Sequence, residues 1–106
     1  VSELNKLLAK FFKVLADPTR LAIIEFLEKG EKCACEIHPI FSQTQSTISI
    51  HLTKLVNAGI LSFRQDGVRK MYSIKDRQVL KVLEFTKELI QKWNEEKIQE
   101  LKNLGS

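Results

Sequence analysis

The residues best equipped for chemistry are Cys33-Ala34-Cys35-Glu36-Ile37-His38, followed closely by Gln45-Ser46-Thr47-Ile48-Ser49-Ile50-His51-Leu52. Two thiols one residue apart, with an imidazole three residues beyond the second, form a soft-ligand set, because thiolates are what thiophilic ions select. The same thiols could oxidise, although a bond between residues two apart is expected to be strained, which ranks a redox switch behind ligation. On a helix Cys35 and His38 share a face. Cys33 would then point elsewhere, so one ion reaches both sulfurs only if the first turn is open. The plainer alternative is that both cysteines are compact semi-buried residues. His51 is expected to pack or hydrogen-bond within its helix and not to ligate.

The second stretch clusters Thr44, Gln45, Ser46, Thr47 and Ser49 at the start of a helix. Short hydroxyl and amide side chains there can meet base edges while backbone N–H groups meet phosphates. Gln45 suits an adenine and Lys54 a phosphate. An N-cap with a solvated polar face is the alternative for this cluster. Arg64, Arg69 and Lys70 suit phosphate or minor-groove contacts from a neighbouring hairpin, unless they are merely a solvated tip. Strand alternation separates Arg69 from Lys70 and leaves open which faces DNA.

These residues need elements to position them. Leu4, Leu8, Phe11 and Leu15 repeat at helical spacing over Glu3–Leu15. Asp17-Pro18 opens a second helix with an N-cap acceptor and a proline at the first helical position, and Gly30 ends it. A short third helix is expected around Cys35–Phe41, beginning late, near His38, because Pro39 disrupts a helix interior. Thr44 caps the next helix, 45–58, closed by Gly59. Asp66-Gly67 marks a hairpin between 60–65 and 68–74. From Lys75 to Leu104 a long amphipathic helix carries Val79, Val82, Leu83, Leu89, Ile90 and Trp93. Two helices joined by a tight polar turn and followed by a hairpin make a winged helix-turn-helix. The fold class is therefore mainly α with a small β-hairpin.

The 106 residues suit one domain, 1–106, and the net charge of +4 with 43% hydrophobic residues favours a real core and an anionic partner. No run is apolar enough to cross a bilayer, so no membrane partner and a cytoplasmic protein are expected. The chain shows no phosphate-cradling loop, Cys-x-x-Cys motif or acid–base set near the thiols, so it is not expected to be an enzyme. The apolar stripes of the first and last helices exceed what a small core needs, which favours a twofold dimer reading two half-sites.

Four blocks in register, Leu15-Ala16-Asp17-Pro18-Thr19-Arg20-Leu21, Cys33-Ala34-Cys35-Glu36-Ile37, Gln45–Leu52 and Ala58-Gly59-Ile60-Leu61, resemble the ArsR/SmtB family of metal-responsive repressors. The resemblance implies a homodimer through helices 3–15 and 76–102, a recognition helix at 45–58 and a wing at 60–74. It implies release from double-stranded operator DNA when an inducer binds, with no cofactor required for DNA binding. Cys-x-Cys and Ser42-Gln43-Thr44-Gln45 resemble the arsenic- and antimony-sensing branch, implying trivalent arsenic or antimony as inducer at Cys33 and Cys35. The branch often carries a third cysteine where this chain has His38, a departure that opens zinc or cadmium. The family's other site, on the last helix, is unsupported, since 75–106 holds no histidine or cysteine. A thiol-redox repressor and a non-sensing winged helix remain the alternatives.

Overall fold

A computed structural model describes residues 1–105. Val1–Asp76 form one compact unit, and the chain from Arg77 onward forms a second, made of a single helix. In the first unit, α1 (Glu3–Leu15) starts at Ser2, whose hydroxyl accepts the Asn5 N–H at 3.0 Å. The Asp17 carboxylate caps α2 (Pro18–Leu27), accepting from the N–H groups of Thr19 at 2.8 Å and Arg20 at 3.0 Å. Proline at the first helical position costs nothing there, because that N–H would have no helical partner.

Next come β1 (Lys32–Cys33), α3 (Ala34–Ile37) and a 3-10 turn at His38–Ile40. The expected helix over 35–41 is thus shorter and begins earlier. Cys33 acts as its N-cap, with the Cys33 N–H donating to the Glu36 carboxylate at 3.0 Å in a capping box. Pro39 sits in the 3-10 turn and interrupts no α-helical hydrogen bond.

α4 (Gln45–Asn57) begins at Thr44, whose hydroxyl accepts the Thr47 N–H at 3.2 Å. It ends in a Schellman motif: Ile60 N–H donates to Leu55 O and Gly59 N–H to Val56 O, both at 3.0 Å. Gly59 takes φ +78° there, a left-handed conformation that suits glycine.

β2 (Leu61–Asp66) and β3 (Arg69–Ile74) pair antiparallel, Asp66 opposite Arg69. The turn is therefore centred on Gly67-Val68, one residue later than Asp66-Gly67 suggested. Gly67 has φ +61°, and no non-glycine residue among those described has a positive φ. A turn centred on Asp66-Gly67 in its favoured form needs both at positive φ, whereas glycine leading a type II′ turn needs one. The sheet order is β1-β3-β2, with Cys33 opposite Met71 and Lys32 opposite Tyr72. Under it lie Ile23, Ile24, Leu27, Ile37, Ile48, Leu52, Leu55 and Leu61, all nearly inaccessible to solvent.

The second unit is α5 (Gln78–Leu104), starting slightly later than expected. Phe85, Leu89, Ile90 and Trp93 are exposed on it. No helix among the described residues is long and apolar enough to cross a membrane. The mainly helical winged helix-turn-helix expected from the sequence is the observed architecture.

Candidate functional site

Cys33 is buried at the end of β1, in extended conformation (φ −75°, ψ 153°), while Cys35 is exposed on the first turn of α3. Because Cys33 lies outside the helix, its sulfur does not point away from Cys35. The Cys33 sulfur accepts the Cys35 N–H at 2.9 Å, and the two side chains are joined as a disulfide across a Cα–Cα distance of 5.1 Å. This corrects the expectation that such a bond is disfavoured: an extended residue beside a helical one brings the Cα atoms within the ordinary spacing for bridged cysteines. His38 is half-buried, and its Nδ1 is enclosed without a hydrogen-bond partner. No group of three His, Cys, Asp or Glu side chains among the described residues is assembled to hold a metal ion. The structure unites Cys33 with Cys35 and does not bring His38 into a set with them.

These three residues line a cleft of about 550 Å³ whose other walls are Gln45, Ser49 and Thr53 from α4, and Val68, Arg69, Lys70 and Tyr72 from the hairpin. Gln45, Ser49 and Thr53 repeat every four residues and so form one stripe on α4. The candidate DNA residues and the candidate ligands thus share one hollow. Both Arg69 and Lys70 reach it despite strand alternation, and Lys70 also lies 6.0 Å from the Phe63 ring centre.

Other expected contacts are placed differently. Thr44 and Thr47 bond to each other, hydroxyl to hydroxyl at 2.9 Å, as part of the α4 cap. Ser46 is exposed on the same turn, and Ile50, one turn on, is an exposed apolar residue of the kind that meets a thymine methyl. Lys54 lies in the last turn of α4, lining a separate hollow with Leu7, Lys10, Phe11, Val14, Asn57 and Ala58. Arg64 is engaged in a two-pronged ion pair with Glu31, at 2.9 and 2.7 Å, with Asp66 at 4.0 Å. That pair raises the guanidinium pKa and lowers that of the Glu31 carboxyl, in each case first through the hydrogen bond between them. The free charge of the hairpin therefore rests on Arg69 and Lys70.

His51 is buried in α4, its Nδ1 3.1 Å from the Arg20 guanidinium of α2. Arginine has no acceptor, so Arg20 donates and Nδ1 accepts. Asp17, which caps the same helix, has its carboxyl held below the ordinary 3.8. The Arg20 N–H is the main cause, followed by the His51 charge and the Thr19 N–H, against an opposing pull from burial. The helix-turn-helix is thereby pinned at Asp17, Arg20 and His51, an arrangement that no spacing rule in the sequence announces. Glu36 could have been found, since Cys33-x-x-Glu36 has capping-box spacing with a thiol in the hydroxyl's place.

The sequence profile of the bacterial regulatory proteins of the arsR family matches residues 17–62. The chain is 41% identical over 71 residues to a protein of Streptomyces lividans named a probable mercury resistance operon repressor; the match covers 67% of this chain and 57% of that one. It is 37% identical over 79 residues to the arsenical resistance operon repressor of Bacillus subtilis, covering 74% of this chain and 75% of that one. Among solved structures, Rv0081 of Mycobacterium tuberculosis superposes with a TM-score of 0.85 at 28% identity, covering 92% of this chain and 99% of that one. The homodimeric winged helix-turn-helix DNA-binding domain Mb0332 of Mycobacterium bovis gives 0.75 at 25% identity, covering 86% and 88%.

Proposed function

The chain belongs to the ArsR family of bacterial regulatory proteins, and from that premise we propose that it is a cytoplasmic homodimeric repressor, released from operator DNA when a thiophilic ion binds Cys33 and Cys35. Gln45, Ser46 and Ser49 meet base edges, the capped start of α4 at Thr44 and Thr47 meets a phosphate, and Lys54, Arg69 and Lys70 supply phosphate contacts. Arg64 joins them on exchanging Glu31 for phosphate. The relatives' names support trivalent arsenic or antimony as inducer, with cadmium or zinc as the alternative in which His38 adds a nitrogen ligand.

One observation carries this reading. Cys33 is at once the cap of α3, the ladder partner of Met71 in the wing and a wall of the cleft shared with α4. Drawing both sulfurs onto one ion pulls on the β1–β3 ladder, and β3 carries Arg69 and Lys70 with it. Linkage requires that the inducer weaken DNA binding by the factor by which DNA weakens inducer binding.

The test is a titration of the reduced protein with arsenite, antimonite, cadmium and zinc, followed by thiolate charge-transfer absorption. Saturation at one ion per subunit, lost in the Cys33→Ser, Cys35→Ser variant, is the expected result. That variant should still bind DNA; if it does not, the cysteines are structural. The joined sulfurs favour a second reading, a thiol-redox repressor. Under it, DNA affinity follows the oxidation state of the pair and ignores all four ions.

A further inference from the structure

Trivalent arsenic makes three bonds, and two thiols satisfy two of them. No third donor is assembled with Cys33 and Cys35 among the described residues. The third bond must then end on hydroxide or on carbon. Beside the sulfurs lies a cleft of about 550 Å³, within the usual range for small-molecule pockets, roughly 300–1,000 Å³. Val68 and Tyr72 give it apolar wall, and the unpartnered His38 Nδ1 is available to a polar group. A lone hydroxide leaves that space to water.

We propose that the cleft is a pocket for the organic substituent of a monoorgano trivalent centre held by Cys33 and Cys35, and that the seated substituent keeps DNA off directly. The proposal rests on the reading of the two cysteines as inducer ligands. A substituent there lies between Gln45 and Ser49 on one side and Arg69 and Lys70 on the other. These are the side chains assigned to DNA, so exclusion needs no long-range movement. The chemistry balances without redox at arsenic. Once a phosphine or dithiol has given the pair two electrons and two protons have restored the thiols, an organoarsonous acid loses two hydroxides. Two As–O bonds break, two As–S bonds form, and each thiol proton leaves with a hydroxide as water. The As–C bond is untouched.

The experiment compares arsenite with phenylarsine oxide on the reduced full chain, against a competing dithiol. Any vicinal thiols bind both compounds, so the informative quantity is how each responds to filling the cleft. In Ser49→Phe, phenylarsine affinity should fall on the order of tenfold while arsenite affinity stays within about twofold. The intact arsenite titration shows that the variant is folded. If both affinities fall together, Val68→Trp, in the hairpin turn and outside any helix, decides by the same criterion. Loss of phenylarsine binding alone supports the pocket. Equal effects, or none, in both variants overturn it and leave the thiol sensor standing. Failure of either arsenical to bind the unaltered reduced protein overturns both readings. On a random-sequence duplex at low salt, the phenylarsine-loaded protein should form no ternary complex, whereas the arsenite-loaded protein should still bind weakly. Equal loss with both arsenicals overturns direct exclusion.

Discussion

Cys33 shows what one side chain's backbone setting decides. Helical spacing sets Cys33 and Cys35 on different faces, and the pair meets because Cys33 is extended. The residue types were legible and their meeting was not, since it depends on where α3 starts. Asp17 was legible in full: an acceptor before proline is a cap in sequence and in structure. Replacing it with alanine should cost about 1 kcal/mol of stability in urea unfolding at neutral pH. Its folded pKa is depressed below 3.8, so the unfolded state takes up the proton first as pH falls. The difference between parent and Asp17→Ala should therefore be whole above the ordinary carboxylate range and shrink as pH drops through the folded value. A difference that grows in acid would contradict this role.

At the level of elements, periodicity delivered α1 and α4, because their apolar stripes and caps are local signals. The hairpin was found but its turn was placed one residue early, since Asp66-Gly67 and Gly67-Val68 are told apart only by which residues take positive φ. The tie between Glu31 and Arg64 spans 33 residues and left no trace in local pattern. It fastens the segment before β1 to β2, and it occupies a charge that the sequence assigns to DNA. Glu31→Gln should free Arg64. Binding to a random duplex should then tighten at low salt, and the slope of log affinity against log salt should steepen by about one. An unchanged slope would mean that Arg64 never reaches phosphate.

For the whole molecule, α1 exposes Leu4, Leu8 and Phe12, and α5 exposes Phe85, Leu89, Ile90 and Trp93. Those residues suit an interface between two copies, where aromatic anchors carry most of the energy. Sedimentation equilibrium should give a dimer for the parent and a monomer for Phe85→Glu, Trp93→Glu, with the helical circular dichroism retained. A dimeric double variant would move the interface elsewhere. The small sheet bears on association of another kind. Its outer strand is only Lys32–Cys33, and that short strand covers the edge of β3 at Met71 and Tyr72. Short edge strands blunt a sheet against pairing with other chains. Any chemistry that lifts Cys33 out of the ladder bares main-chain donors and acceptors on β3. The thiol that answers the signal is thus also a guard against aggregation, and the induced form is the one that can stick to its own kind.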